Sequence, residues 1–204
     1  PADVPLEHAA ERIAFGKTLN AGQTCVAPDY VLVPRDRVDG FVSAYRDVVQ
    51  RFYPQLKDNP DYTAIINERQ LARLNGYLQD AQAKGARIVP IYPEAQGRRL
   101  PQSLVLDVND DMKLMQDEIF GPLLPVVPYE RLDDAFAYVN ARPRPLALYY
   151  FGYDKREQQR VLHETHSGGV CLNDTLLHVA QDDMPFGGVG PSGMGHYHGH
   201  EGFL

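Results

Sequence analysis

The residue best suited to chemistry in this chain is Cys25, which lies in a turn-like segment, residues 22–28, between a helix-like and a strand-like stretch. A thiolate is a strong nucleophile, and its pKa falls near cations, helix N-termini or dense hydrogen-bond donors. The backbone N–H groups around Cys25 could also stabilise a developing oxyanion. Free cysteines are, however, among the most buried residue types. The local sequence therefore predicts either a nucleophile or a small packing residue that starts the next strand.

The second cysteine, Cys171, lies in the apolar stretch 169–172 and is predicted to be a packing residue. A framework of several disulfides is typical of small secreted domains, and two cysteines are too few to form one. The N-terminus lacks a basic region followed by an apolar core, so no signal peptide is predicted. A cytoplasmic location is expected.

Two other segments are unusual, residues 118–122 and residues 185–190. Taken alone, Glu118 could be a helix-end or loop carboxylate, and Phe120 an ordinary core aromatic. Phe186 stands between a proline and two glycines, a constrained turn in which its ring could simply fill the loop with apolar surface.

His196, His198 and His200 alternate with other residues near the C-terminus. Histidine binds transition metals, but no cysteine or carboxylate lies at a recognised ligand spacing from these three. The sequence therefore predicts no metal site.

Residues 188–193 match the pattern G-x-G-x-x-G. The dinucleotide fingerprint also needs a preceding strand, a following helix and an acidic residue about 20 positions on. Eleven residues follow Gly193 (204 − 193), too few to complete that unit. We expect no phosphate-binding loop here.

Helix-like and strand-like patterns alternate along the chain and would position these residues. Helices are predicted at 6–20 with Asp3 as N-cap, 37–52, 67–84, 132–141 and 154–165. Strands are predicted at 30–33, 88–91, 104–106, 123–127, 146–151 and 169–172. Pro125 favours a sheet edge, a strand end or a bulge. This alternation predicts one three-layer α/β/α domain, residues 1–204, with a mainly parallel sheet and a Gly-rich loop from about 182.

The chain of 204 residues is 44% hydrophobic and 23% charged, as in ordinary globular proteins. Its net charge of −7 argues against nucleic acid or an anionic membrane as the main partner. No apolar run approaches the ~20 residues of a membrane span. A small-molecule substrate is therefore the expected partner.

Three motifs together resemble the aldehyde dehydrogenase superfamily. They are Gly22-Gln23-Thr24-Cys25, Glu118-Ile119-Phe120-Gly121-Pro122 and Pro185-Phe186-Gly187-Gly188, in the order and at about the separations of that family. The resemblance extends over essentially the whole chain. Residues 25–30 and 192–199 are most similar to its class 3 branch.

The resemblance implies that Cys25 attacks an aldehyde to give a thiohemiacetal and then a thioester, with its own N–H donating to the oxyanion. NAD or NADP would accept the hydride. Glu118 would bind the nicotinamide ribose, and Phe120 would lie near the same ring. A carboxylate suits this task because it accepts hydrogen bonds from two vicinal hydroxyls.

The class 3 resemblance implies an aromatic aldehyde, such as coniferyl aldehyde, as substrate. Phe186 would face the substrate pocket, and His198 would lie near its entrance. Asn20 and Gln23 are expected to fix the loop around Cys25 rather than to catalyse. The parent enzyme would be a homodimer or homotetramer.

The family's general base and its cofactor-binding domain would lie upstream of Pro1, so we expect a catalytic domain with little turnover by itself. Two alternatives remain open at this stage. One is a CoA-acylating or phosphorylating relative, which passes the same thioester to another acceptor. The other is a non-catalytic domain of this fold in which Cys25 serves packing.

Overall fold

A computed structural model describes residue 1 and residues 3–203 of the chain. The helices are α1 Leu6–Thr18, α2 Val38–Phe52, α3 Glu68–Ala83, α4 Lys113–Gln116, α5 Leu132–Asn140 and α6 Lys155–Glu164. The strands are β1 Val31–Pro34, β2 Arg87–Pro90, β3 Ser103–Leu106, β4 Leu123–Tyr129, β5 Ala147–Tyr150 and β6 Gly169–Leu172. The predicted elements are thus present, with boundaries shifted by one or two residues in most cases.

The long helices form where apolar residues recur at helical spacing. The buried face of α2 consists of Phe41, Val42, Tyr45, Val48 and Val49. The N-terminus of α3 is capped by the Asn67 side chain, which accepts a hydrogen bond from the Gln70 N–H at 2.9 Å. Asp154 caps α6 in the same way. Periodicity and capping chemistry therefore account for these helices directly.

The predicted N-cap of α1 is wrong. The N-cap position is Pro5, and the Asp3 carboxylate instead accepts hydrogen bonds from the backbone N–H groups of Tyr153 and Asp154. Asp3 lies too far ahead of Leu6 to reach the first turn, and the start of α6 offers it unpaired donors. The N-terminal segment is consequently tied to the loop before α6.

The strands form two hydrogen-bonded sheets, one in the order β1-β4-β3-β2 and one of β5 and β6. Three of the four pairings are parallel, and only β2 with β3 is antiparallel. Leu104 and Leu124 pack into the same core cluster as α1 and α2, whereas Val105 and Leu123 pack with α3 on the opposite face. The predicted three-layer α/β/α class with a mainly parallel sheet is confirmed.

Pro125 does not lie on an edge strand, because β4 has a partner on each side. Pro125 is the last β4 residue paired with β3, opposite Val105, and the pairing of β4 with β1 begins at Val126. The missing N–H of proline therefore falls where the strand changes partner. The edge interpretation is wrong for this reason.

A cavity of about 590 Å³ lies between β1 and β5. Side chains of α1, α5 and α6 complete its apolar wall, and the turn that carries Cys25 lies at its margin. Within the described ranges, neither β1 nor β5 has a strand partner on a second side. The fold thus brings the cysteine turn and two strand edges to one opening.

The segment after residue 181 is largely irregular, with a short 3-10 turn at Gly190–Ser192 and a bridge between Phe186 and Tyr197. Leu204, the end of the predicted loop, lies outside the described residues. Over residue 1 and residues 3–203, no helix has the length and apolar character needed to cross a bilayer.

Candidate active site

The backbone before Cys25 is unusual. Helix α1 ends at Thr18, and Asn20, Ala21 and Gly22 then have φ angles of 51°, 54° and 73°. Three consecutive left-handed residues reverse the chain, although this conformation is unfavourable for residues with a Cβ. Gly22 is further restricted, because an added Cβ would lie 2.4 Å from the Gly121 carbonyl oxygen. The reversal thus packs the cysteine turn directly against the segment that follows Glu118.

Asn20 and Gln23 hold this turn, which confirms their predicted role as loop-fixing amides. The Gln23 Nε2 donates to the Asn20 and Ala64 carbonyls at 3.0 and 3.2 Å, and its Oε1 accepts from the Ile66 N–H at 2.9 Å. The Asn20 Nδ2 donates to the Gln23 carbonyl at 3.1 Å. Both side-chain amides therefore form hydrogen bonds with backbone groups.

Cys25 occupies the corner of a turn closed by the Ala27 N–H and the Thr24 carbonyl at 3.2 Å. Its side chain is exposed, unpaired with Cys171, and lines the cavity between β1 and β5. Exposure contradicts the interpretation of Cys25 as a buried packing residue. Within the described part of the chain its N–H makes no protein hydrogen bond, whereas the Gln23 N–H is used by Asn20. The Cys25 N–H is therefore a free donor beside the thiol.

Tyr149, on β5, anchors the cysteine turn from the opposite wall of the cavity. Its hydroxyl donates to the Val26 carbonyl at 2.7 Å, and burial raises the pKa of this phenol above its usual range. Sequence reasoning missed Tyr149 because its strand is an apolar run with no local motif. Only the fold brings β5 beside a residue that lies 123 positions earlier.

Glu118 and Phe120 line the same cavity as Cys25, so the structure brings these three predicted residues together. Phe120 has a φ of 48° and is 41% exposed, which presents its ring to the opening. The backbone around Glu118 is held from two sides. The Asp29 carboxylate accepts from the Ile119 N–H at 3.0 Å, and the Arg73 guanidinium donates to the Ile119 carbonyl at 2.7 Å.

The charges around Asp29 and Glu118 include a buried lysine that sequence reasoning missed. Lys17 is fully buried near the end of α1, and its ammonium has no hydrogen-bond partner within the described residues. Burial lowers the pKa of Lys17 to about 8, although the Asp29 and Glu118 carboxylates oppose that change. Burial also raises the pKa of Asp29, and burial together with the Asp29 charge raises that of Glu118.

Phe186 and His198 form a separate aromatic cluster and do not line the cavity that contains Cys25. Phe186 is buried against Val26, the residue after the cysteine, and its ring centroid lies 6.3 Å from that of His198. The Phe186 backbone pairs with Tyr197, with N···O distances of 2.8 and 2.9 Å. Phe186 therefore packs against the cysteine turn on the side of Val26. A substrate contact for Phe186 or His198 stays a prediction.

Cys171 is half-buried on β6, and its Sγ lies 3.2 Å from the Nδ1 of His178. Burial raises the pKa of the Cys171 thiol and lowers that of the His178 imidazole, so both groups favour their neutral forms. This pair was not predicted, because nothing in the local sequence links the two residues. The packing role expected for Cys171 stays a prediction.

The remaining motifs bring no further ligands to the site. Over the described ranges, no three His, Cys, Asp or Glu side chains converge as a metal site would require. Among the described residues, the glycine pattern at 188–193 contains the 3-10 turn Gly190–Ser192 and is neither directly preceded by a strand nor followed by a helix. It lacks the strand–turn–helix geometry of a dinucleotide-binding loop.

Comparison with known proteins places this geometry in a family. Residues 2–204 match the Aldehyde dehydrogenase family. The chain is 80% identical over 201 residues to a probable coniferyl aldehyde dehydrogenase of Pseudomonas aeruginosa, covering 98% of the chain and 42% of that protein. It is 50% identical over 200 residues to the coniferyl aldehyde dehydrogenase of Pseudomonas sp. strain HR199, covering 95% of the chain and 42% of that protein. The chain thus spans about two fifths of these relatives.

Solved structures agree. AldH of Staphylococcus aureus in its substrate-bound state superposes with a TM-score of 0.92 and 42% identity, over 100% of this chain and 44% of that one. A Mycobacterium tuberculosis aldehyde dehydrogenase in complex with NAD+ gives 0.86 and 30%, over 99% and 42%. An NADP-dependent glyceraldehyde-3-phosphate dehydrogenase of Bacillus halodurans, in complex with NADP, gives 0.90 and 26%, over 100% and 43%. The chain belongs to the aldehyde dehydrogenase family.

Proposed function

We propose that this chain is the cysteine-bearing catalytic domain, residues 1–204, of an NAD(P)-dependent aldehyde dehydrogenase. The observation that carries the proposal is the position of Cys25. Its exposed thiol stands at the corner of a turn, beside its own free N–H, in the cavity that Glu118 and Phe120 also line. A packing role would give a buried side chain instead.

The chemistry follows from these groups. The Cys25 thiolate forms a C–S bond to the aldehyde carbon, and the carbonyl oxygen becomes an oxyanion within reach of the Cys25 N–H. Loss of a hydride from this thiohemiacetal to the nicotinamide, when that cofactor is bound, would leave a thioester on Cys25. Water would then add to the thioester carbonyl, and cleavage of the C–S bond would release the carboxylic acid and the Cys25 thiolate, with one proton passing to solvent. The turn fixed by Gln23 and Tyr149 keeps thiol and donor in one geometry throughout.

Glu118 and Phe120 are the residues of this chain that would hold the cofactor. When bound, the nicotinamide supplies the hydride acceptor. The Glu118 carboxylate has no hydrogen bond or ion pair to another side chain within the described residues, so its oxygens are free to accept from ribose hydroxyls. The exposed Phe120 ring offers an apolar surface beside it.

The substrate, compartment and assembly are further parts of the proposal. The 80% identity to a probable coniferyl aldehyde dehydrogenase supports an aromatic aldehyde such as coniferyl aldehyde. Both cysteines are free thiols, which supports a cytoplasmic location, because reducing conditions there keep thiols from forming disulfides. A homodimer or homotetramer of the full-length enzyme is the assembly we propose with it.

The decisive experiment is a pair of substitutions in the full-length enzyme that carries this chain. Cys25→Ser should lower NAD-dependent oxidation of coniferyl aldehyde at least about a thousandfold, because the nucleophile is lost. Cys171→Ser is the matched control and should retain most of the activity, since that thiol is half-buried on β6. Unimpaired activity of Cys25→Ser would overturn the proposal. Formation of an acyl-CoA in place of the carboxylic acid on addition of CoA would favour an acyl-transferring relative instead.

A further inference from the structure

Gln102 is a completely buried polar side chain that the proposed chemistry does not use. It lies directly before β3, and both ends of its amide are hydrogen-bonded. The Oε1 accepts from the Tyr45 hydroxyl at 3.2 Å, and the Nε2 donates to the Lys17 carbonyl at 3.1 Å. A buried amide is costly unless it is paired in this way. These two contacts join the start of β3 to helices α2 and α1.

The Lys17 carbonyl lies in the last turn of α1, where carbonyl groups lack a helical N–H to accept from. The helix ends at Thr18, and the left-handed run 20–22 then turns the chain toward Cys25. The Gln102 amide supplies a donor to this helix end from 85 positions away. It thus caps α1 at the point from which the cysteine turn departs.

The backbone next to Gln102 holds a second segment, residues 118–122, which carries Glu118 and Phe120. The Ser103 N–H donates to the Pro122 carbonyl at 2.9 Å, directly before the parallel pairing of β3 with β4. Two neighbouring residues at the start of β3 therefore bind two segments of the candidate site.

The two segments also touch each other. A Cβ added to Gly22 would lie 2.4 Å from the Gly121 carbonyl oxygen and 3.2 Å from the Lys17 carbonyl oxygen. The carbonyl that Gln102 holds is therefore packed against the cysteine turn, and that turn is packed against the segment 118–122. A shift of the end of α1 would be passed on to Cys25 through these backbone contacts.

We propose that Gln102 is a positioning residue that holds the cysteine turn in place relative to the segment of Glu118 and Phe120. Its amide fixes the end of α1 through the Lys17 carbonyl, while the adjacent backbone fixes the other segment. The inference rests on the proposed function for the use made of this geometry. A thiol that carries the reacting carbon must lie at one distance from the hydride acceptor, and a misplacement of about 1 Å can cost about a hundredfold in rate.

The first test compares two buried glutamines of this chain by alkylation with iodoacetamide. Gln102→Leu keeps much of the side-chain volume and removes both hydrogen bonds. Gln158→Leu is the matched control, because the Gln158 amide is also buried and donates to the Gly152 carbonyl at 2.8 Å, in the loop after β5. The rate of Cys25 alkylation, measured by peptide mass spectrometry, should fall at least about threefold in Gln102→Leu and stay unchanged in Gln158→Leu.

The direction of this change follows from the exposure of the thiol. The Cys25 side chain is already exposed, so a looser turn adds no access. A looser turn instead weakens the contact between the thiolate and the free Cys25 N–H beside it, which lowers the thiolate fraction. Both variants lose a buried hydrogen bond, and their urea midpoints should fall together. A Cys25 rate that is unchanged or raised in Gln102→Leu, or that falls equally in both variants, would overturn the inference.

A milder pair of variants covers the case in which Gln102→Leu does not fold. Tyr45→Phe removes only the hydroxyl that orients the Gln102 amide and should lower the Cys25 rate at least about 1.5-fold. Tyr92→Phe is its control, because the Tyr92 hydroxyl donates to the Val49 carbonyl at 3.3 Å and not to Gln102. Equal Cys25 rates in the two tyrosine variants would overturn the inference.

The second test uses the full-length enzyme and separates positioning from stability. Gln102→Leu should lower kcat for coniferyl aldehyde at least about tenfold and leave the KM for NAD within about twofold, because the groups that bind the cofactor remain while the thiol is displaced. Gln158→Leu should retain kcat. Equal kcat values in the two variants would overturn the inference. Slower Cys25 alkylation in Gln102→Leu, in a protein whose Cys25→Ser variant stays active, would refute only the proposed function.

Discussion

Gly22→Ala should disrupt the cysteine turn, because this position has both a left-handed backbone and a close backbone neighbour. Gly22 combines a φ of +73° with a site where a Cβ would lie 2.4 Å from the Gly121 carbonyl oxygen. A left-handed conformation costs a residue with a Cβ about 1–2 kcal/mol. Relief of the backbone contact adds about 1–3 kcal/mol. The two costs together predict a loss of about 2–5 kcal/mol in the free energy of unfolding.

Two other glycines separate these contributions. Gly97 has a φ of +57° and nothing within 4 Å of an added Cβ, so Gly97→Ala reports the backbone cost alone. Gly76 lies within α3 with open space around it, and Gly76→Ala should stabilise the chain by about 0.5–1 kcal/mol through helix propensity. The expected order of stability is Gly76→Ala above wild type, then Gly97→Ala, then Gly22→Ala.

Urea denaturation and thermal melting of the three variants measure this order. At about 2–4 °C per kcal/mol for a chain of this size, Gly22→Ala should lower the Tm by roughly 4–20 °C. The same variant should alkylate at Cys25 with an altered rate, because its turn must shift. If Gly22→Ala and Gly97→Ala lose equal stability, the close approach to Gly121 is refuted. If Gly22→Ala matches Gly76→Ala, the left-handed backbone is refuted as well.

Three other outcomes are expected. Iodoacetamide should label Cys25 faster than Cys171, whose pKa is raised by burial; equal rates, measured by peptide mass spectrometry, would contradict an accessible Cys25 thiol. Tyr149→Phe should lower the free energy of unfolding by about 1–3 kcal/mol, since the Val26 carbonyl loses its donor at 2.7 Å; an unchanged urea midpoint would argue against this anchor. The folded pKa of Lys17, about 8, lies below its unfolded value of 10.5, so the unfolded chain binds more protons between these pH values and stability should rise with pH there. Between pH 8 and 9.5, the free energy of unfolding of the wild-type chain should rise by between about 1 and 2 kcal/mol more than that of Lys17→Met. Parallel pH profiles of the two proteins would contradict the buried charge.

The helices and strands were predictable where a local pattern determines them. Helix α2 follows from apolar residues at helical spacing, and α3 begins at Glu68 because Asn67 caps it. The N-cap assignment of Asp3 and the edge interpretation of Pro125 were wrong for a common reason. Asp3 accepts hydrogen bonds from Tyr153 and Asp154, and Pro125 lies where β4 exchanges one partner strand for another. Both roles depend on contacts that only the folded chain creates.

The residues of the candidate site, like the helices and strands, were predictable only where a local motif marks them. Cys25, Glu118 and Phe120 stand in compact motifs, and the structure brings all three to one cavity. Lys17 and Tyr149 belong to an ordinary amphipathic helix and an ordinary apolar strand, so no local signal marks them. Long-range packing alone gives these two residues their place beside the cysteine turn.

The left-handed run Asn20-Ala21-Gly22 has a consequence for how this chain can evolve. Glycine at position 21 would relieve a conformational cost of about 1–2 kcal/mol, whereas glycine at position 20 would also remove the hydrogen bond from the Asn20 amide to the Gln23 carbonyl. Glycine at position 21 would also let the turn before Cys25 sample many more backbone states. Selection for thermal tolerance alone should therefore enrich glycine at position 21, whereas selection for turnover should remove it. The identity of residue 21 would then record which of the two pressures has acted on a given lineage.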